Sequence, residues 1–144
     1  MVRVPVGDDR VLGPARPGVV TMAGDGVLSW RRPGADAAPI PVPSDRTAID
    51  AGGELVLVEA PVVGDGIRRF ETWSIVGARL VQTFAVRTSD RSPRLAPDGG
   101  VAALPERTGF VVHDATSGER IAAFPLSGFP DAHPVWVGGT SPSP

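Results

Sequence analysis

"FVVHDATSGERIAAF", Phe110 to Phe124, decides the fold. It holds two apolar runs, Phe110–His113 and Ile121–Phe124, on either side of a polar centre that contains Ser117-Gly118. Aromatic and β-branched residues suit a pleated strand, and Ser-Gly is turn chemistry because glycine accepts positive φ without a steric penalty. The stretch reads as strand, turn, strand. The same succession occurs twice earlier, as "VLSWRRPGADAAPIPV" (27–42) and "FETWSIVGARLVQTFAV" (70–86). Three copies of one supersecondary unit make an internal repeat, which takes precedence over any local reading.

Working outward, each copy is preceded by a matching half. An Asp-Arg pair opens each unit, at Asp9-Arg10, Asp45-Arg46 and Asp90-Arg91, with spacings of 36 and 45 residues. A short run follows ("VLGPA", "TAID", "SPRLAPD"), then a glycine turn at Gly18, Gly52-Gly53 or Gly99-Gly100. A second apolar run comes next ("VVTMA", "ELVLVEA", "VAALPE"), then a turn at Gly24-Asp25-Gly26, Gly64-Asp65-Gly66 or Arg107-Thr108-Gly109. The third run ends in a ring at Trp30, Trp73 or His113. The expectation is all-β: twelve short strands in three consecutive four-stranded antiparallel sheets, paired in chain order. The units span 9–43, 44–88 and 89–128, and 129–144 holds one further strand, "HPVWVGG", and a tail. No helix is expected, because the alanine-rich window at 35–38 is interrupted by Pro33, Gly34 and Pro39.

Proline placement agrees with this order. Pro39, Pro41, Pro43 and Pro125 fall in or just after the last strand of a unit. A residue without an N–H belongs on a sheet edge, where it also discourages edge-to-edge aggregation.

The bulk composition bounds function. Hydrophobic residues make up 42% and charged residues 21%, values ordinary for a globular chain. The net charge of −2 comes without any run of like charge, so no nucleic-acid partner is expected. No cysteine is present, which excludes disulfides, thiolate metal sites and thiol nucleophiles. With no 18-residue apolar run and no signal-like start, the reading is a cytoplasmic protein, or one exported by other means, without a membrane partner.

The units resemble β-propeller blades of the WD-repeat and quinoprotein-like superfamilies. "LAPDGGVAAL" (95–104) is similar to the strand–turn–strand opening of such blades, and "VVHDATSGERIAAF" (111–124) to their third and fourth strands. The Trp-Asp pair that often ends the family's third strand is only half kept. Arg31 and Ser74 follow Trp30 and Trp73, whereas Asp114 follows His113. The resemblance covers roughly residues 9–128. It implies blades arranged about an axis, typically about four to eight in a closed ring. Three units leave the ring incomplete, so the chain either self-associates, forms an open arc or is a piece of a longer propeller.

Candidate chemistry is sparse. His113 and His133 are the only histidines, and no Gly-x-Ser-x-Gly elbow accompanies them. No catalytic residue is assigned, and His113 reads as a packing or turn residue. His133 near Asp131 is the one local metal-like pair and reads as loop; no metal site and no cofactor are assigned. Asp25 and Asp65 lack calcium-loop spacing and read as hairpin turns. Without lysine there is no phosphate loop of the lysine type. Trp30 and Trp73 recur at one position of the unit and read as packing between blades. The candidate partner-binding residues are Arg10, Arg46 and Arg91, which open the units and suit acidic or polar groups, and Trp136 in the partial strand. The alternative for each arginine is an ion pair with its neighbouring aspartate. The expectation is a non-catalytic protein-interaction module with a protein partner or a second copy of itself. A structural subunit and a sugar-binding or hydrolytic propeller stand as alternatives.

Overall fold

The structure is a computed structural model that describes residues 9–64, 66–87, 91–107 and 109–125. It contains twelve strands and, among these residues, no helix. The first sheet comprises β1 (Arg10–Ala15), β2 (Gly18–Met22), β3 (Leu28–Arg31) and β4 (Ala38–Pro39). The second comprises β5 (Thr47–Gly52), β6 (Leu55–Glu59), β7 (Ile67–Ser74) and β8 (Arg79–Arg87). The third comprises β9 (Arg94–Leu95), β10 (Val101–Glu106), β11 (Gly109–Asp114) and β12 (Arg120–Pro125). Each is antiparallel and ordered as the chain runs, and none closes into a ring. The three-blade architecture expected from the repeat is the observed one. The partial strand at 133–139, and with it Trp136, lies outside the described residues.

Turn chemistry accounts for the hairpins. Two residues, Gly53 and Glu54, separate β5 from β6, and Gly53 takes a φ of 58°. Asp25 Oδ1 accepts from the Val27 N–H, and Asp114 Oδ1 accepts from the N–H groups of Thr116 and Ser117. These aspartates are turn formers: the side-chain oxygen stands in for a carbonyl two or three residues back. Pro39 and Pro125 lie on the edge strands β4 and β12, where no ladder donor is lost.

Alternation along the strands gives each sheet two faces, and the sheets stack through them. Val20 and Leu28 of the first sheet meet Ala51, Val56, Val58 and Ile75 of the second. From the opposite face of the second sheet, Leu55, Leu57, Phe70, Phe84 and Val86 meet Leu95, Ala102, Leu104 and Ala115 of the third. The middle sheet is therefore apolar on both sides, which is why "ELVLVEA" reads as a continuous hydrophobic run rather than an alternating one.

The first strands approach one another most closely. A β-carbon on Gly52 would lie 2.0 Å from the Ala96 carbonyl oxygen, and one on Gly13 would lie 2.3 Å from that of Ala51. The Gly53 N–H donates to the Pro97 carbonyl at 2.8 Å, a backbone bond between sheets. Beside it the buried Asp50 accepts from its own neighbour, Ala51 N–H, at 2.9 Å and from Leu95 N–H of the third sheet at 2.9 Å. Burial pushes the Asp50 carboxyl above its ordinary value, against the pull of those two N–H groups and the charge of Arg94.

Register corrects one equivalence. Ala15 pairs with Gly18 in the first hairpin as Gly52 pairs with Leu55 in the second. Val19 then corresponds to Val56; its partner is Arg31, whereas the partner of Val56 is Trp73. Trp30 therefore corresponds to Thr72, one residue away from the Trp73 position, and a one-residue step turns a side chain to the other face. Both tryptophans still pack between the first two sheets, because Trp30 projects forward from one and Trp73 backward from the other. His113, opposite Ala102, is the true counterpart of Trp73, and its ring meets Phe84 of the preceding sheet edge-on at 5.4 Å.

The close approach yields a test. Gly52→Ala should destabilise the chain by about 1–3 kcal/mol, because the added methyl meets a carbonyl rather than a movable side chain. That corresponds to a melting midpoint lower by roughly 3–10 °C. Gly24→Ala, with nothing within 4 Å of its added carbon, should melt within about 2 °C of the parent.

Candidate functional site

The three arginines singled out in the sequence all stand at or ahead of the first strand of a sheet. Arg10 begins β1, Arg46 precedes β5, and Arg91 lies three residues before β9. Arg10 is exposed. Arg46 forms a fork with Glu71, Nε to Oε1 at 2.9 Å and Nη2 to Oε2 at 3.3 Å, and also reaches Asp45 at 2.6 Å. Glu71 Oε1 further accepts the Trp73 indole N–H at 2.9 Å. The Glu71 hydrogen bond is the main cause that raises the Arg46 pKa. Burial pushes the Glu71 carboxyl up, but the Arg46 and Trp73 hydrogen bonds together with the Arg46 charge hold it below its ordinary value. Arg91 donates to the Glu106 carbonyl at 3.2 Å and sits 5.9 Å above the Phe110 ring. Arg46 and Arg91 are thus bound into their own sheets. Asp9, adjacent to Arg10, pairs instead with Arg31 at 2.8 Å.

A different set of arginines gathers where the second and third sheets meet. A groove of about 370 Å³ is walled by Arg87 at the end of β8, Arg107 in the β10–β11 turn and Arg120 at the start of β12, together with Glu106 and His113. None of these three arginines forms an ion pair among the described residues. Among the described residues that line it, three cations face one carboxylate. Arg87, Arg107 and Arg120 occupy unrelated positions in their units, so the repeat that exposed the other arginines could not reveal this cluster. Only the stacking of sheets brings it together.

His113 closes one side of the groove. Its Nδ1 lies 3.1 Å from the Gly118 carbonyl, which fixes Nδ1 as the protonated nitrogen of the neutral ring. With its edge-on contact to Phe84, the ring acts as a packing and turn residue. Arg46 lines a smaller cleft of about 140 Å³ with Asp25 and Ile40. The first hairpins of all three sheets border an open groove of about 490 Å³ that mixes Arg16 with Glu54 and Asp98. Among the described residues no group of three or more His, Asp or Glu is placed to hold a metal ion. No helix among them is long and apolar enough to cross a membrane. His133 and Asp131 lie outside the described residues.

Three four-stranded antiparallel sheets that stack in series, none closed into a ring, are consistent with blade-like repeats. No family model matches the chain, and no curated protein matches it in sequence.

The Glu71 pair makes stability depend on pH with a definite sign. A carboxyl held below its ordinary value of 4.5 stabilises the fold at neutral pH, and that contribution is lost as pH falls through the depressed value. Asp50, held above its ordinary 3.8, acts oppositely: its contribution is fullest in acid and is lost as pH rises through the raised value. Glu71→Gln should therefore melt below the parent at pH 7, by about 1–3 kcal/mol for a lost charge-assisted bond. The gap should narrow below about pH 4, as followed by denaturant titration across pH 3–7.

Proposed function

We propose that the chain is a non-catalytic, propeller-type protein-interaction module that holds an acidic segment of a partner protein. The observation that carries this reading is the groove between the second and third sheets, where Arg87, Arg107 and Arg120 have no carboxylate partner among the described residues. Guanidinium groups take carboxylates in bidentate fashion, so an extended peptide with spaced Asp or Glu residues matches the groove chemically. The ordered strands on both walls supply a rigid support, which lowers the cost of binding. On this reading Arg46 and Arg91 shape the scaffold, whereas Arg10 is exposed for contact. The module acts in the cytoplasm.

A second reading, a structural subunit of a larger assembly, is favoured by β12, the outer strand of the third sheet among the described residues. Ile121 and Phe124 on β12 are 55% and 42% exposed. An outer strand with exposed apolar side chains is a template for strand addition by a neighbour.

A fluorescent oligo-glutamate peptide and its glutamine counterpart test the first reading. The glutamate peptide should bind, and Arg87→Glu/Arg120→Glu should weaken it at least about tenfold. Raising the salt to 0.5 M should weaken it similarly. Equal binding of the glutamine peptide, or insensitivity to the charge reversal, sinks the proposal. So does tighter binding of a single-stranded oligonucleotide of equal charge.

A further inference from the structure

Arg87, Arg107 and Arg120, which line the groove between the second and third sheets, are all exposed, and strand register fixes how they are spaced. Gln82 of β8 donates from Nε2 to the Thr116 carbonyl at 3.3 Å, in the turn between β11 and β12. Two residues further along β8, Phe84 meets the His113 ring with the centroids 5.4 Å apart. Moving forward on β8 is therefore moving back along β11. Arg87 lies three residues past Phe84, about 10 Å from the level of His113 and towards Gly109.

The third sheet sets its own two arginines apart in the same way. Arg120 pairs with His113, whereas Pro125 pairs with Gly109 at the other end of β11. Four residue steps separate Gly109 from His113, about 13 Å of strand. Arg107 stands two residues before Gly109, in the β10–β11 turn. The groove thus has two cationic poles, Arg87 with Arg107 at one and Arg120 beside His113 at the other. Ala85 and Val86, whose side chains carry no polar group, also line it. Glu106, next to Arg107, is the one carboxylate among the described lining residues.

On the reading that this groove holds an acidic segment, we infer that the segment is extended and carries acidic residues four apart, with an apolar residue midway. Side chains i, i+2 and i+4 of an extended chain share one face, and i and i+4 stand about 13 Å apart. One carboxylate then meets Arg120 and the other meets Arg87 and Arg107, with residue i+2 over Ala85 and Val86. Neighbouring acids in an extended chain point to opposite faces, so only one of such a pair reaches the groove. A second acid at the Arg87–Arg107 pole would also meet the like charge of Glu106. A helical segment cannot span the poles, because its i and i+4 side chains are only about 6 Å apart.

Fluorescence anisotropy on the full chain tests this with two capped peptides of equal length and composition. One carries two glutamates four positions apart with a valine midway, and the other carries the glutamates side by side. An oligo-glutamate peptide is measured in parallel. The spaced peptide should bind at least about fivefold more tightly than the adjacent one, because its second contact is intramolecular. Arg120→Gln, at an exposed position, should leave the melting midpoint unchanged and bring the two peptides within about twofold of each other. Equal binding of the two peptides, or none of either, while oligo-glutamate binds overturns the spacing and leaves the acidic-segment reading standing. A preference that survives Arg120→Gln overturns the spacing as well. Failure of all three peptides to bind removes that reading, and the spacing with it.

Discussion

The structure depends on one constraint: the first strand of each sheet must come within backbone contact of the next. Gly13 rests on the Ala51 carbonyl and Gly52 on that of Ala96, and neither position has room for a β-carbon. Contact this close requires the polar backbone groups at the junction to find partners, because an unpaired buried N–H costs about 1–3 kcal/mol. Asp50 meets that need by accepting the Leu95 N–H across the junction, while Gly53 donates to Pro97 beside it. The apolar faces can then stack. Burying the Asp50 carboxylate opposes ionisation, and the two N–H groups it accepts offset part of that cost.

Much of this was legible in the sequence and some was not, for identifiable reasons. The strand count and order followed from turn residues: glycine and aspartate at Gly52-Gly53, Asp25 and Asp114 mark chain reversals whatever the partners are. Edge placement followed from Pro39 and Pro125, because a missing N–H is a property of the residue. Register did not follow. Trp30 and Trp73 occupy similar places in their runs, yet loops of different length precede them, and a single-residue offset reverses the face. Asp50 was passed over because a lone aspartate in "TAIDAG" looks like turn punctuation until a neighbouring sheet presents an N–H to it. Arg87, Arg107 and Arg120 were missed because stacking, not periodicity, makes them neighbours.

The same architecture bears on recognition. Two of the three arginines that recur at the start of each unit are drawn into the scaffold: Arg46 into its fork with Glu71, Arg91 against Glu106 and Phe110. Those that break the repeat, Arg87 at the end of β8, Arg107 in the β10–β11 turn and Arg120 at the start of β12, form no ion pair among the described residues and line a groove. In a repeat scaffold, shared positions build the stack while the departures from them distinguish one surface from another.

The stacking is tested most directly at the amide of Leu95. Its hydrogen bond goes to Asp50 Oδ2 in another sheet rather than to a strand of its own. Its exchange with solvent therefore reports the junction alone. If the first strands are locked together, the Leu95 amide exchanges only on global unfolding, as slowly as the central amides of β6 and β10. Exchange as fast as that of the exposed turn amides at Thr116 and Ser117 would contradict the stacked arrangement.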